Sequence, residues 1–240
     1  MKRLYQKDPV WFAVLWIAIY VAGFSAAEGV SEAMGVPGLI TVLLGALLSL
    51  ALIRFIRSQG LEKHFGLCGF NGDIKVFIYF IPLMVISSVN LWCGISFGAV
   101  DAAAVLGVIS MCLVAFLEEV IFRGLLFKGM CRDNIRTAVA VSSLTFGFGH
   151  IVNLLLGAPM TDTMLQLVYA SGVGFCYTAV FLCGGSIVPC IISHGAVNSL
   201  SIFAAEPSGE AKVIIALVQT LISLGYGAWL LYNHGAETKE

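Results

Sequence analysis

The sequence predicts an all-α fold: a polytopic membrane bundle of about eight transmembrane helices that forms a single transmembrane domain over residues 1–240. Composition is the first reason, because 59% of the residues are hydrophobic and 11% are charged, against about 45–50% and 25% in soluble domains. The second reason is that apolar residues form continuous runs, without the two-residue alternation of membrane strands. The same composition excludes intrinsic disorder, and the net charge of −1 excludes a nucleic-acid binder driven by bulk positive charge.

Eight apolar runs are long enough to cross a hydrocarbon layer of about 30 Å as helices. In chain order they are Pro9–Phe24, Val36–Ile56, Ile74–Phe97, Ala102–Phe127, Thr137–Leu156, Thr163–Cys183, Ser186–Ala205 and Ala211–Tyr232. The first run is the shortest and could be mistaken for a signal peptide, but no polar mature domain follows it. We therefore expect this run to be retained as the first span.

The basic residues support the count of eight and indicate an orientation. With eight spans, one side of the membrane carries Lys2, Arg3, Lys7, Arg54, Arg57, Lys63, Lys75, Lys128, Arg132, Arg136 and Lys239. The loops on the other side carry one basic residue, Lys212, among the acidic residues Glu28, Glu32, Asp101, Asp162, Glu206 and Glu210. Because cytoplasmic loops are enriched in Lys and Arg, we expect both termini to be cytosolic. The expected location is a bacterial plasma membrane, in contact with membrane lipids.

The fourth span contains charged residues, which cost about 2.5–3.5 kcal/mol each inside a membrane and so mark functional sites. Glu119 and Arg123 are four residues apart with the carboxylate first, which favours an intrahelical ion pair. Glu118 is turned by about 100° from Glu119 and lacks such a partner. Glu118 is therefore the candidate general base. The alternative is that both glutamates serve helix packing or a polar network.

Two later spans each carry a histidine with a polar or aromatic residue four positions away on the same face. The fifth span pairs Phe146 with His150, and the seventh pairs His194 with Asn198. At about 1.5 Å per residue, Glu118, His150 and His194 lie about 15, 20 and 12 Å from the cytosolic ends of their helices. A common depth indicates one site, although each histidine taken alone also fits core packing or an interhelical hydrogen bond.

The four polar groups are the parts of a site for peptide hydrolysis. Glu118 with His150 can deprotonate a water, while His194 with Asn198 can stabilise the oxyanion of a tetrahedral intermediate. Alternatively, Glu118, His150 and His194 could hold a divalent metal such as zinc and leave one position for water. The sequence has no HExxH helix and no GxSxG elbow, so neither a zincin nor a serine hydrolase is predicted.

Three short motifs, taken together and in this order, resemble those of the CPBP family, the CAAX-protease and bacteriocin-processing intramembrane endopeptidases. The matching residues are Glu118, Glu119 and Arg123 (EExxxR), Phe146 and His150 (FxxxH), and His194 and Asn198 (HxxxN). The resemblance covers roughly residues 100–205, which we predict to be the catalytic core. Each motif is weak alone, and their occurrence on successive membrane segments makes the resemblance specific.

The resemblance implies a glutamate-dependent endopeptidase that cleaves a membrane-associated protein or peptide. It assigns the activation of water to Glu118 and supporting roles to Glu119, Arg123 and Phe146. It also implies a conical cavity open to the cytosol and the lipid. The family is commonly called a metalloprotease family, so the resemblance suggests a divalent metal such as zinc as cofactor. The motifs do not decide whether the metal is required.

Two other functions fit the same residues. Some relatives act in bacteriocin immunity or as membrane scaffolds, so a non-catalytic immunity or scaffold protein with the same fold is the second hypothesis. A proton-coupled transporter is the third hypothesis, because intramembrane Glu and His residues form proton relays. The chain lacks a pair of broken helices in matching halves, which disfavours a transporter.

Overall fold

The structure is a computed structural model that describes residues 1–70, 80–96 and 101–237. Within these ranges all regular secondary structure is helical, and one isolated antiparallel bridge joins Ile95 to Ala204. The predicted all-α class is therefore confirmed.

The helices of the described ranges follow one another with short connections. In chain order they are α1 (Lys2–Lys7), α2 (Pro9–Ala33), α3 (Leu39–Ser58), α4 (Ile81–Ser87), α5 (Ala102–Met130), α6 (Ile135–Gly149), α7 (Val152–Leu155), α8 (Met160–Gly184), α9 (Val188–Ser201) and α10 (Gly209–Glu237). A 3₁₀ turn, Val89–Leu91, follows α4, and the segment Val120–Phe127 within α5 is π-helical.

Six helical segments are long and apolar enough to cross a membrane, which indicates an integral membrane protein. They are α2, α3, α5, the consecutive α6 and α7, α8 and the part of α10 up to Asn233. The predicted count of eight is not confirmed. The seventh run forms only the 14 residues of α9, which reach about 21 Å and fall short of a 30 Å hydrocarbon layer. The third run, Ile74–Phe97, lies partly outside the described residues, and its described part forms α4 and the 3₁₀ turn.

Side-chain caps explain where several helices begin. The Asp8 carboxylate accepts hydrogen bonds of 3.0 Å from the backbone N–H groups of Val10 and Trp11, and Pro9 occupies the first helical position. Asp101 caps α5 and Asn134 caps α6 in the same way. These caps satisfy backbone donors that have no partner inside the helix.

The core is centred on the π-helical segment of α5, in which every residue from Val120 to Phe127 is buried. This segment packs against α2 and α6, and aromatic and aliphatic side chains such as Phe12 and Leu52 surround it. On the other side of the bundle, α8 packs against both α6 and α10. A charged residue such as Arg123 can lie inside this core only if its charge and its donors have partners.

Candidate active site

Glu118 and Glu119 occupy the junction at which α5 changes from α-helix to π-helix. π-helical segments are rare and occur frequently at functional sites. The two neighbouring carboxylates have different surroundings: the Glu119 side chain is completely buried, whereas that of Glu118 is 13% exposed and lines a cavity. One carboxylate is thus enclosed by protein and the other faces open space.

Glu119 forms the ion pair with Arg123 that the spacing predicts. Arg123 Nη1 donates to Glu119 Oε1 at 3.0 Å, and Nη2 donates to the Gly174 carbonyl oxygen at 3.3 Å. The guanidinium carbon lies 4.1 Å from the centre of the Phe146 ring, in a cation–π contact. Phe146 therefore covers the buried cation, a contact between helices that sequence spacing does not reveal.

His194, on α9, connects the two carboxylates. Its Nδ1 lies 2.9 Å from Glu119 Oε1, and its Nε2 lies 3.6 Å from Glu118 Oε2. Because a carboxylate only accepts hydrogen bonds, His194 donates from Nδ1 to Glu119. This bond fixes the plane of the ring and directs Nε2 towards Glu118.

His150 follows the last residue of α6 and lines the same cavity as Glu118. Its Nδ1 lies 3.2 Å from the Phe146 carbonyl oxygen, to which it donates, so Nε2 is left as an acceptor. Phe146 contacts both imidazoles edge to face, with ring centres 5.5 Å from His150 and 5.6 Å from His194. Asn198 also lines the cavity. The structure thus places Glu118, His150 and Asn198 on one cavity and His194 directly beside Glu118.

Tyr20 is a part of the site that the sequence did not reveal. Its hydroxyl, on α2, donates to Glu118 Oε1 at 2.7 Å. Within its run Tyr20 looks like any other aromatic residue of a membrane span. The only available signal is that a buried tyrosine hydroxyl needs a hydrogen-bond partner, which does not say which partner it finds.

A second polar network positions α9. Tyr177 Oη donates to Ser193 Oγ at 2.9 Å, and Ser193 Oγ lies 2.8 Å from Ser87 Oγ. Further along α9, Asn90 Nδ2 donates to the Val197 carbonyl oxygen at 2.6 Å. These bonds connect α9 to α8, to α4 and to the 3₁₀ turn, and so fix the helix that carries His194.

The cavity has a volume of about 670 Å³, within the usual range of ligand-binding pockets. Besides Glu118 and the residues around it, polar side chains line its length. These are Glu28, Thr41, Asn90, Asn153, Asp162, Gln166, Gln219 and Lys212, with others. A space lined by so many polar groups can hold water and a peptide backbone within the bundle.

The predicted metal site has no preformed ligand group in the part of the chain that the structure describes. There, no three His, Cys, Asp or Glu side chains are grouped as candidate ligands. The bond from Nδ1 of His194 to Glu119 leaves Nε2 as the ring nitrogen that could bind a metal, an arrangement common among metal-binding histidines. The need for a divalent metal stays a prediction, which metal analysis of the purified protein tests.

Comparison with known families adds a sequence match over the motif-bearing helices. Residues 100–200 match the model of a family described as type II CAAX prenyl endopeptidase Rce1-like. This segment of the chain is Rce1-like. The match confirms the resemblance to the CPBP family, and at family level it supports an intramembrane protease. The chain matches no curated protein and no solved structure.

The Rce1-like segment contains every residue of the three motifs and ends two residues after Asn198. Tyr20, by contrast, lies on α2, far outside the Rce1-like segment in sequence. The candidate site is therefore assembled from the Rce1-like helices and one further helix.

Proposed function

We propose that the protein is an intramembrane endopeptidase that hydrolyses a peptide bond of a membrane-associated protein or peptide, with Glu118 as the general base. The observation that carries this proposal is that Glu118 and Glu119 differ in burial and in hydrogen-bond partners. Glu119 is buried and accepts hydrogen bonds from Arg123 and His194, whereas Glu118 faces the cavity, accepts one hydrogen bond, from Tyr20, and has His194 Nε2 at 3.6 Å. Glu118 is therefore free to accept a proton from a water molecule.

The reaction begins with a water held between Glu118 and His150. Its oxygen bonds to the carbonyl carbon of the scissile peptide while one proton passes to Glu118. The carbonyl oxygen becomes an oxyanion, which accepts hydrogen bonds from Asn198 and from Nε2 of His194. When the carbon–nitrogen bond breaks, Glu118 returns the proton to the leaving amine. One water is consumed, and one carboxyl group and one amine are formed.

The role given to His194 has a definite protonation requirement. His194 already donates from Nδ1 to Glu119, so it can donate to an oxyanion only if Nε2 also carries a proton. The ring is then an imidazolium that lies between the carboxylates of Glu118 and Glu119. Glu119 thus contributes to the proposed oxyanion site through His194, without touching the substrate.

The test compares membrane-peptide fragments from cells that carry the wild type, Glu118→Gln or the matched control Glu32→Gln. Glu32 is an exposed carboxylate on α2, so its replacement changes charge without changing the site. General bases contribute about 10²–10⁴-fold to rates, so we expect cleavage to fall at least 100-fold in Glu118→Gln alone. Equal fragment patterns from wild type and Glu118→Gln, at equal amounts of protein in the membrane, would refute the proposed function.

A further inference from the structure

The cavity has a closed end and an open end. Phe122 and Phe146 close it beside Glu118, and each of these rings is only 3% exposed. At the other end the lining includes Cys93 and Leu156, which are exposed. The cavity therefore leads from Glu118 to one end of the helical bundle.

The open end lies at the side of the bundle opposite α1. Its lining includes Glu28 near the end of α2, Thr41 near the start of α3, Asp162 near the start of α8 and Lys212 near the start of α10. Since α2 runs from the side of α1 towards Glu28, these four residues mark the far end of the bundle. The four side chains are polar or charged, as expected for a mouth in contact with water.

The basic residues lie at the opposite end. They flank the start of α2, the end of α3 and the connection between α5 and α6: Lys2, Arg3, Lys7, Arg54, Arg57, Lys63, Lys128, Arg132 and Arg136. At this end Tyr5 of α1 packs against Phe55 and Phe65, whose ring centres lie 5.6 and 5.8 Å from that of Tyr5. At the mouth of the cavity, Lys212 is neutralised by Asp162 at 2.9 Å and by Glu206 at 2.6 Å. The charge asymmetry of the described residues thus coincides with the two ends of the bundle.

We propose that the cavity opens on the extracytoplasmic face of the membrane and receives the juxtamembrane segment of a peptide presented from that side. The positive-inside rule places the basic end in the cytosol, and the cavity then leads away from it. Among the described residues, this cavity gives a substrate at the cytosolic surface no route to Glu118. This proposal reverses the expectation, drawn from the family resemblance, of a cavity open to the cytosol. Its statement about substrate rests on the proposed function, whereas its statement about orientation does not.

The experiment uses thiol labelling in sealed spheroplasts with a membrane-impermeant maleimide, read by peptide mass spectrometry. Cys93 of the wild-type protein reports on the mouth of the cavity. The variant Ser58→Cys places a thiol at an exposed position at the basic end of α3 and serves as the matched probe. We expect Cys93 to react before lysis and the introduced thiol to react only after lysis.

The opposite pattern, or a Cys93 that does not react from outside, would overturn the proposal. A second measurement follows substrate cleavage: outside labelling should block fragment formation by the wild type, whereas Cys93→Ser, compared with its own unlabelled sample, should lose less than a fifth of its activity. Equal inhibition of both proteins would show that the mouth is not the substrate route. Because labelling needs no activity, loss of the proposed function, as tested by Glu118→Gln, is distinguished from loss of the proposed orientation.

Discussion

Tyr20→Phe removes one oxygen atom from α2 and with it the 2.7 Å hydrogen bond to Glu118 Oε1. A hydrogen bond to a charged group contributes about 1.5–3 kcal/mol. That energy favours the charged carboxylate before reaction, so loss of the bond acts on the rate through the position of Glu118, and a displaced catalytic group lowers kcat by about 10–100-fold. The phenyl ring keeps its contact with Phe24 on the same helix, whose ring centre lies 4.7 Å away. The protein should therefore fold normally and bind its substrate with an unchanged KM.

The assay is steady-state cleavage of a substrate peptide identified from the membrane fragments, together with thermal unfolding of each protein. Tyr169→Phe is the matched control, because it removes a hydroxyl from the same cavity and leaves the bond between Tyr20 and Glu118 in place. We expect kcat to fall in Tyr20→Phe alone, with a midpoint of unfolding lowered by no more than the loss of this one hydrogen bond explains. A kcat equal to or above that of the wild type would refute the positioning role and show that the bond instead restrains the basicity of the carboxylate.

Three further predictions concern the scaffold of the site. Gly147→Ala should destabilise the protein by about 1–3 kcal/mol, because a Cβ there overlaps Ser171 and lies 2.9 Å from the Leu167 carbonyl oxygen. Gly149→Ala is the control, because a Cβ there meets nothing within 4 Å. Equal midpoints of unfolding for the two variants would contradict this prediction. Arg123→Met should cost about 3–5 kcal/mol in unfolding free energy, because it leaves the Glu119 carboxylate buried without its cation, and a shift below 1 kcal/mol would contradict it. Burial, and then the neighbouring cations, lower the pKa of His64 from its ordinary value of 6.5, so the unfolded chain takes up the proton first and stability should fall as pH drops below about 6.5. Thermal unfolding between pH 7.5 and 5.5 measures this loss, which should diminish in His64→Gln.

The sequence predicted the parts of the site that depend on one helix at a time. The i,i+4 spacing of Glu119 and Arg123 gave their ion pair, because a helix fixes which residues share a face. Spacing alone could not show that Phe146 covers Arg123 or that Tyr20 reaches Glu118, since each contact joins different helices. Such contacts depend on how helices pack, which no local pattern specifies.

The number of spans was harder to predict for a related reason. The run Ser186–Ala205 is as apolar as a true span, yet only 14 of its residues form α9. Apolar length measures burial of any kind and does not distinguish burial in lipid from burial in protein. His194 and Ser193 on α9 are buried against α5, α8 and α4, so one face of this apolar run packs against protein.

The pair of adjacent glutamates explains why the proposed site needs both a buried ion pair and a cavity. A single carboxylate that balanced Arg123 and oriented His194 would be buried away from water, and a single carboxylate facing the cavity would leave the buried cation unpaired. Glu118 and Glu119 are adjacent residues just before the π-helical segment, so their side chains point in different directions and meet different partners. Glu119 contacts Arg123 of α5 and His194 of α9, while Glu118 faces the cavity and accepts a hydrogen bond from Tyr20 of α2. The reactivity proposed for Glu118 follows from this difference: Arg123 neutralises Glu119, and the charge of Glu118 therefore stays available to act on a water molecule.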